Sequence, residues 1–82
     1  MLVENGVQVV HPGEVLAAEF LEPLGMSQNR LALDIRVPAH RISEIVRGKR
    51  RVSPDSALRL ALYFHTSAEF WLGLQMAYDL AL

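Results

Sequence analysis

Four prolines, at positions 12, 23, 38 and 54, do most to limit what this chain can fold into. Each fixes φ near about −65° and lacks an N–H, so none fits a central strand or the middle of an undistorted helix. With Gly25, Gly48 and serines at 27, 53 and 67 they cut the chain into short segments, and strand-like alternation survives only in residues 2–10. The punctuation predicts an all-α domain of five short helices. At 82 residues and 51 % apolar, the chain is one unit rather than two and too hydrophobic for a disordered tail. A monomer of this size buries only about 60–65 % of the surface its unfolded chain exposes, so self-association is expected.

The segments have individual start and stop signals. Residues 1–10 read as an arm in which Asn5-Gly6 resembles the turn of a miniature hairpin, although flanks so short are marginal without a surface to pair with. A first helix begins near Pro12 with Val15, Leu16, Phe20 and Leu21 as its stripe, and is expected to stop by Glu22 because Pro23 disfavours the α region for the residue before it. Ser27 caps a second, running from Gln28 to about Ile35. Pro38 opens a third with Ile42, Ile45 and Val46 inward, ending at Gly48. Ser53-Pro54-Asp55 is the strongest helix start in the chain and leads a fourth over about 54–64. A fifth follows Thr66-Ser67, either of which could cap it.

Charge is distributed unevenly along these segments. Residues 1–29 hold Glu4, Glu14, Glu19 and Glu22 with no base. Residues 30–51 hold seven of the eight cations against Asp34 and Glu44, a net of +5 in a chain whose overall charge is −1. Such an island suits a surface facing a polyanion, with acidic flanks keeping the rest of the molecule off it. A solvated helix face would look similar, so charge alone does not decide.

The spacing within the island decides more. Two short helices joined by a tight turn, the second loaded with base, form a helix-turn-helix pattern that can be checked position by position from Gln28. Leu31, Ile35, Val37, Ile42 and Ile45 supply the apolar residues needed where the helices cross, and Ala32 is small where a longer side chain would wedge them apart. Arg36 stands at the turn position that favours glycine, a departure costing on the order of 1 kcal/mol.

The chain then shows a series of blocks in order: His11-Pro12-Gly13-Glu14, Glu19-Phe20-Leu21-Glu22-Pro23-Leu24-Gly25, Arg41-Ile42-Ser43-Glu44-Ile45-Val46-Arg47-Gly48-Lys49-Arg50, Ala57-Leu58-Arg59-Leu60-Ala61, Glu69-Phe70-Trp71-Leu72, and Leu74-Gln75 with Ala77-Tyr78-Asp79-Leu80. Over residues 11–80 these resemble the HigA/VapI antitoxins of the Xre-type helix-turn-helix class. The resemblance implies a lambda-repressor-like five-helix domain after a short arm. It also implies a type II antitoxin that binds its own operator as a dimer and neutralises a RelE-like ribonuclease toxin, HigB. Arg36 and His65 replace helix-ending glycines of that family, Arg51 a small residue, and Gly73 a polar residue of the last helix. Gly73 weakens that helix by roughly 0.5–1 kcal/mol.

A recognition helix enters the major groove with its N-terminal half, so Ala39, His40, Ser43 and Glu44 are the expected base-reading residues. Glu44 could equally form a surface ion pair with Arg41 or Arg47. Ser27 and Gln28, with Arg47, Lys49, Arg50 and Arg51, are expected phosphate contacts, and Arg41 borders both classes. Trp71, Leu74 and Tyr78 on the last helix are the expected dimer contacts, on the argument that five short helices cannot bury them together with Leu82. Glu14, Glu19, Glu22 and the arm are candidates for meeting a basic toxin, although solvated acids are commoner.

Little points to catalysis or cofactors. With no cysteine, disulfides, thiolate metal sites and thiol nucleophiles are absent together. His11, His40 and His65 have no metal-ligand spacing, and His11 reads as part of the first helix's cap. No enzyme activity and no cofactor are expected. No segment reads as a signal peptide or membrane span, so the expected compartment is the cytoplasm. The rival readings are a stand-alone repressor without a toxin, and a helical protein-interaction module that does not touch DNA.

Overall fold

The computed structural model describes residues 9–82, and the hairpin expected within the arm lies outside them. Those residues fold into five helices, with no strand among them. The first, α1, covers residues 12–24 in three continuous stretches: α-helical Pro12–Val15, π-helical Leu16–Leu21 and α-helical Glu22–Leu24. The others are α2 Gln28–Ile35, α3 Ala39–Val46, α4 Pro54–Phe64 and α5 Ala68–Ala81.

The starts follow local chemistry. His11 Nδ1 accepts from the Gly13 N–H at 2.9 Å and caps α1. Ser27, Ser53 and Ser67 accept from the backbone N–H three residues on, capping α2, α4 and α5. The choice between Thr66 and Ser67 is thereby resolved, and Thr66 Oγ1 is free to accept from the Trp71 indole at 2.8 Å. Pro38 is the N-cap of α3, with extended backbone, rather than its first helical residue.

The first helix does not stop at Glu22. In its π stretch the Glu22 N–H reaches five residues back to the Ala17 carbonyl. That wider register opens the turn ahead of Pro23, whose ring would otherwise press on the carbonyl four residues earlier. Pro23 then sits in the first turn of the final α-helical stretch, and left-handed Gly25 ends it, with the Met26 N–H bonded to the Leu21 carbonyl. Arg36 and His65 end α2 and α4 with φ of 61° and 59°.

One core joins all five helices. Leu16, Leu31, Ile42, Ile45, Leu60 and Trp71 are fully enclosed, with Val52 from the α3–α4 loop. Trp71 is 0 % exposed within a single chain. It packs on Phe20 and Phe70 with ring centroids 5.1 Å from each, and Phe20 in turn meets Phe64 at 4.9 Å. Its expected place in a dimer contact is therefore corrected: α1, α4 and α5 supply enough aromatic surface to bury it in the monomer. Leu74 and Tyr78 are half-buried, Leu74 against the core and Tyr78 against His11.

Candidate nucleic-acid interface

The crossing of α2 and α3 determines which residues can meet a ligand. Leu31, Ala32 and Ile35 of α2 close on Ile42 and Ile45 of α3, all buried, so the opposite side of α3 must face outward. Ala39 and His40 are exposed there, while Ser43 and Glu44, one turn on, are half-buried. No large apolar side chain is exposed on α3 or on the loop that follows it, although other helices expose several. The outer face of α3 is thus narrow, polar and flanked by cations.

Backbone packing holds α3 in that orientation. Gly13, at the start of α1, lies so close to the end of α3 that a methyl group there would overlap the Ile45 carbonyl and approach Val46 Cα to 2.9 Å. Only glycine permits that approach. At the exit of α3 the Gly48 N–H bonds the Ile45 carbonyl at 3.0 Å and the Lys49 N–H bonds the Glu44 carbonyl at 2.8 Å, turning the chain into the basic loop.

The cations divide into engaged and unengaged groups. Arg50 donates through Nε to Glu44 at 2.8 Å. That bond is the largest influence on the Glu44 carboxyl and, with the charges of Arg50, His40 and Arg47, holds it below its ordinary pKa although burial pushes it up. The ion pair expected for Glu44 exists, but with Arg50 rather than Arg41 or Arg47, because the turn at Gly48 folds the loop back over the helix. Arg41 lies 3.7 Å from Asp55 instead. Arg51 Nη2 donates to Asp79 of α5 at 2.9 Å. Among the described residues Arg36, Arg47 and Lys49 have no ion-pair partner.

The remaining expected contacts sit at helix ends. Ser27 Oγ is occupied by its capping bond to the Arg30 N–H at 3.0 Å, and Gln28 is the half-buried first residue of α2. Arg59 donates to Asp55 and also to the Ile35 carbonyl, at 2.7 Å, satisfying an end of α2 where Arg36 takes the left-handed turn. His11, His40 and His65 lie respectively in a cap, on the outer face of α3 and at the end of α4.

The sequence pattern did not reveal what lies beneath the basic loop. Gln75 is 3 % exposed and its Oε1 accepts from the Val52 N–H at 2.8 Å. Its Nε2 donates to Asp79 Oδ1 at 2.9 Å, while Asp79 Oδ2 holds Arg51. These bonds keep the Asp79 carboxyl below its ordinary pKa, Gln75 most strongly and then Arg51. The available signal was spacing: Trp71, Gln75 and Asp79 fall four residues apart, so a glutamine on the tryptophan's face had to be buried and satisfied.

A family described as helix-turn-helix matches residues 18–71. Virulence-associated protein I of Dichelobacter nodosus is 47 % identical over 77 residues, spanning 94 % of this chain and 71 % of that protein. The Pseudomonas aeruginosa antitoxin HigA, solved with the higBA promoter, superposes with a TM-score of 0.88 at 46 % identity, over 90 % of this chain and 80 % of that one. The antitoxin GraA, solved in complex with its operator, gives 0.86 at 42 % identity, over 96 % and 80 %.

Proposed function

The chain belongs to the Xre-type helix-turn-helix family that includes the HigA/VapI antitoxins, and from that premise we propose that it binds the operator of its own operon as a homodimer. Through that binding it represses transcription, and it neutralises a RelE-like ribonuclease toxin encoded beside it. It acts by binding, without catalysis or a cofactor. The observation that carries the reading is the outer face of α3: Ala39, His40, Ser43 and Glu44 project from a helix free of exposed large apolar side chains and bordered by cations.

Roles follow from chemistry. His40 can donate to guanine N7 or O6, Ser43 suits either base, Ala39 can touch a thymine methyl, and Glu44 can accept from cytosine N4. Ser27, Gln28, Arg47 and Lys49 fix the register on phosphates, with Arg41, Arg50 and Arg51 contributing once their carboxylate partners allow it. The likeness of this chain to the P. aeruginosa antitoxin HigA, solved with the higBA promoter, and to GraA, solved with its operator, supports a DNA-binding reading.

The test is fluorescence anisotropy with the operon's promoter duplex over a salt series. Lys49→Ala and Arg47→Ala, which remove unpaired cations, are each expected to flatten the slope of log K against log salt by about 0.9 while weakening binding to all sequences alike. His40→Ala is expected to cost about 1–3 kcal/mol, confined to one or two base pairs of each half-site. A wild-type chain that ignores the duplex even in dilute buffer would refute the proposal. Co-purification with the product of the adjacent reading frame tests the toxin partner.

A further inference from the structure

The basic loop is tied to α5 by a continuous set of hydrogen bonds. The Val52 backbone donates to Gln75, Gln75 donates to Asp79, and Asp79 accepts from Arg51. Gln75 is buried and both ends of its amide are satisfied, so it cannot swing away without stranding the Val52 N–H, itself out of water. Asp79 is partly open to solvent and carries the charge that faces Arg51. His11, whose ring meets Tyr78, is the other titratable group near Asp79. Arg50, the neighbouring loop cation, is likewise held by a carboxylate, on α3 itself.

Resting on the DNA-binding reading above, we infer that α5 sets the phosphate-binding capacity of the basic loop: Gln75 is a positioning residue that fixes the loop's backbone, and Asp79 sequesters Arg51. Arg50 and Arg51 are accordingly not equivalent to Lys49, despite their adjacency. An arginine already bonded to a carboxylate gains less from a phosphate, and the carboxylate repels that phosphate in turn. The loop therefore neutralises fewer phosphates than its three consecutive cations suggest. Its rigidity, set from beneath by Gln75, keeps Lys49 and the end of α3 in a fixed relation to the duplex.

The experiment measures operator affinity of the full chain across a salt series by anisotropy, at a temperature where circular dichroism shows every variant folded. Asp79→Asn keeps an acceptor for Gln75 and removes the charge opposite Arg51. It is expected to tighten binding several-fold and steepen the salt slope by up to about 0.9, one released phosphate contact. In an Arg51→Ala background the same substitution is expected to leave the slope unchanged. Gln75→Met keeps side-chain volume while removing both hydrogen bonds. It is expected to weaken operator binding about tenfold, spare binding to random duplex, and speed hydrogen exchange at Val52. An Asp79→Asn slope equal to wild type, or a slope change that persists without Arg51, overturns the inference even if Gln75→Met fails to fold. Absence of salt-dependent binding by the wild-type chain overturns the DNA reading beneath it instead.

Discussion

His11 joins three parts of the domain. Its Nδ1 caps α1, its ring meets Tyr78 of α5 edge-on at a centroid distance of 4.8 Å, and Gly48 at the exit of α3 lies alongside. Because Nδ1 accepts the Gly13 N–H, the ring proton sits on Nε2 and the imidazole is neutral. Adding a second proton would break the cap and place positive charge at a helix N-terminus, where the dipole opposes it. Burial lowers the His11 pKa from 6.5, against the raising influence of Glu14 and Asp79. The folded chain therefore binds the proton less readily than the unfolded chain. Its contribution to stability is complete above about pH 6.5 and is lost as pH falls through that value toward the folded pKa. The carboxyls of Asp34, Glu44 and Asp79 are all lowered, so their contributions are present above their ordinary values of 3.8 and 4.5 and are lost in a separate, more acidic window as pH falls below them. Thermal melts between pH 7.5 and 5 should show wild type losing stability, whereas His11→Asn, which caps without titrating, should stay flat. Parallel curves for the two proteins would remove His11 from this role.

Between elements, the closest approach is that of α1 to α3. Gly13→Ala forces a methyl group into the Ile45 carbonyl, backbone against backbone, where no side chain can yield. The expected cost is about 3 kcal/mol, at the upper end of overpacking effects, and a displaced α3 should weaken operator binding beyond what the lost stability explains. Urea unfolding and anisotropy on the same samples separate the two effects, and an alanine variant as stable as wild type would show that α1 can slide. The sequence could be read wherever structure depends on near neighbours. Ser27, Ser53 and Ser67 cap helices through N–H groups three residues on, and Leu31, Ala32, Ile35, Ile42 and Ile45 follow a fixed crossing pattern. Reading failed where the cause lay further off or in an uncommon backbone register. The π turn before Pro23 has no local signature, and it carries α1 past its expected end. Trp71 lies inside because Phe20, from a distant segment, reaches it. The partner of Arg51 is 28 residues away, and nothing in Lys49-Arg50-Arg51 distinguishes a sequestered arginine from an available lysine.

The described residues of one copy extend 39 × 22 × 21 Å and present one recognition helix, whereas successive major-groove half-sites are about 34 Å apart. A two-fold dimer meets that spacing, and α5 offers a surface for it, though not through Trp71. Gly73, Met76, Ala77 and Leu80 recur at intervals of three and four residues on the solvent side of α5, with Met76 62 % and Leu80 80 % exposed. Nothing lies within 4 Å of where a Gly73 side chain would begin, so the glycine that weakens the helix also lets a second helix approach closely. Since Leu80 makes little contact within its own chain, Leu80→Glu should leave the fold intact and place two like charges at the two-fold contact. The proposed dimer predicts that this variant sediments as a monomer at concentrations where the wild-type chain sediments as a dimer. Operator binding should fall about 100-fold or more as the second half-site no longer binds from an already tethered partner. A Leu80→Glu chain that still sediments as a dimer would move the interface off this stripe. The exposed Leu58 and Leu62 of α4 would then be the apolar pair to substitute next.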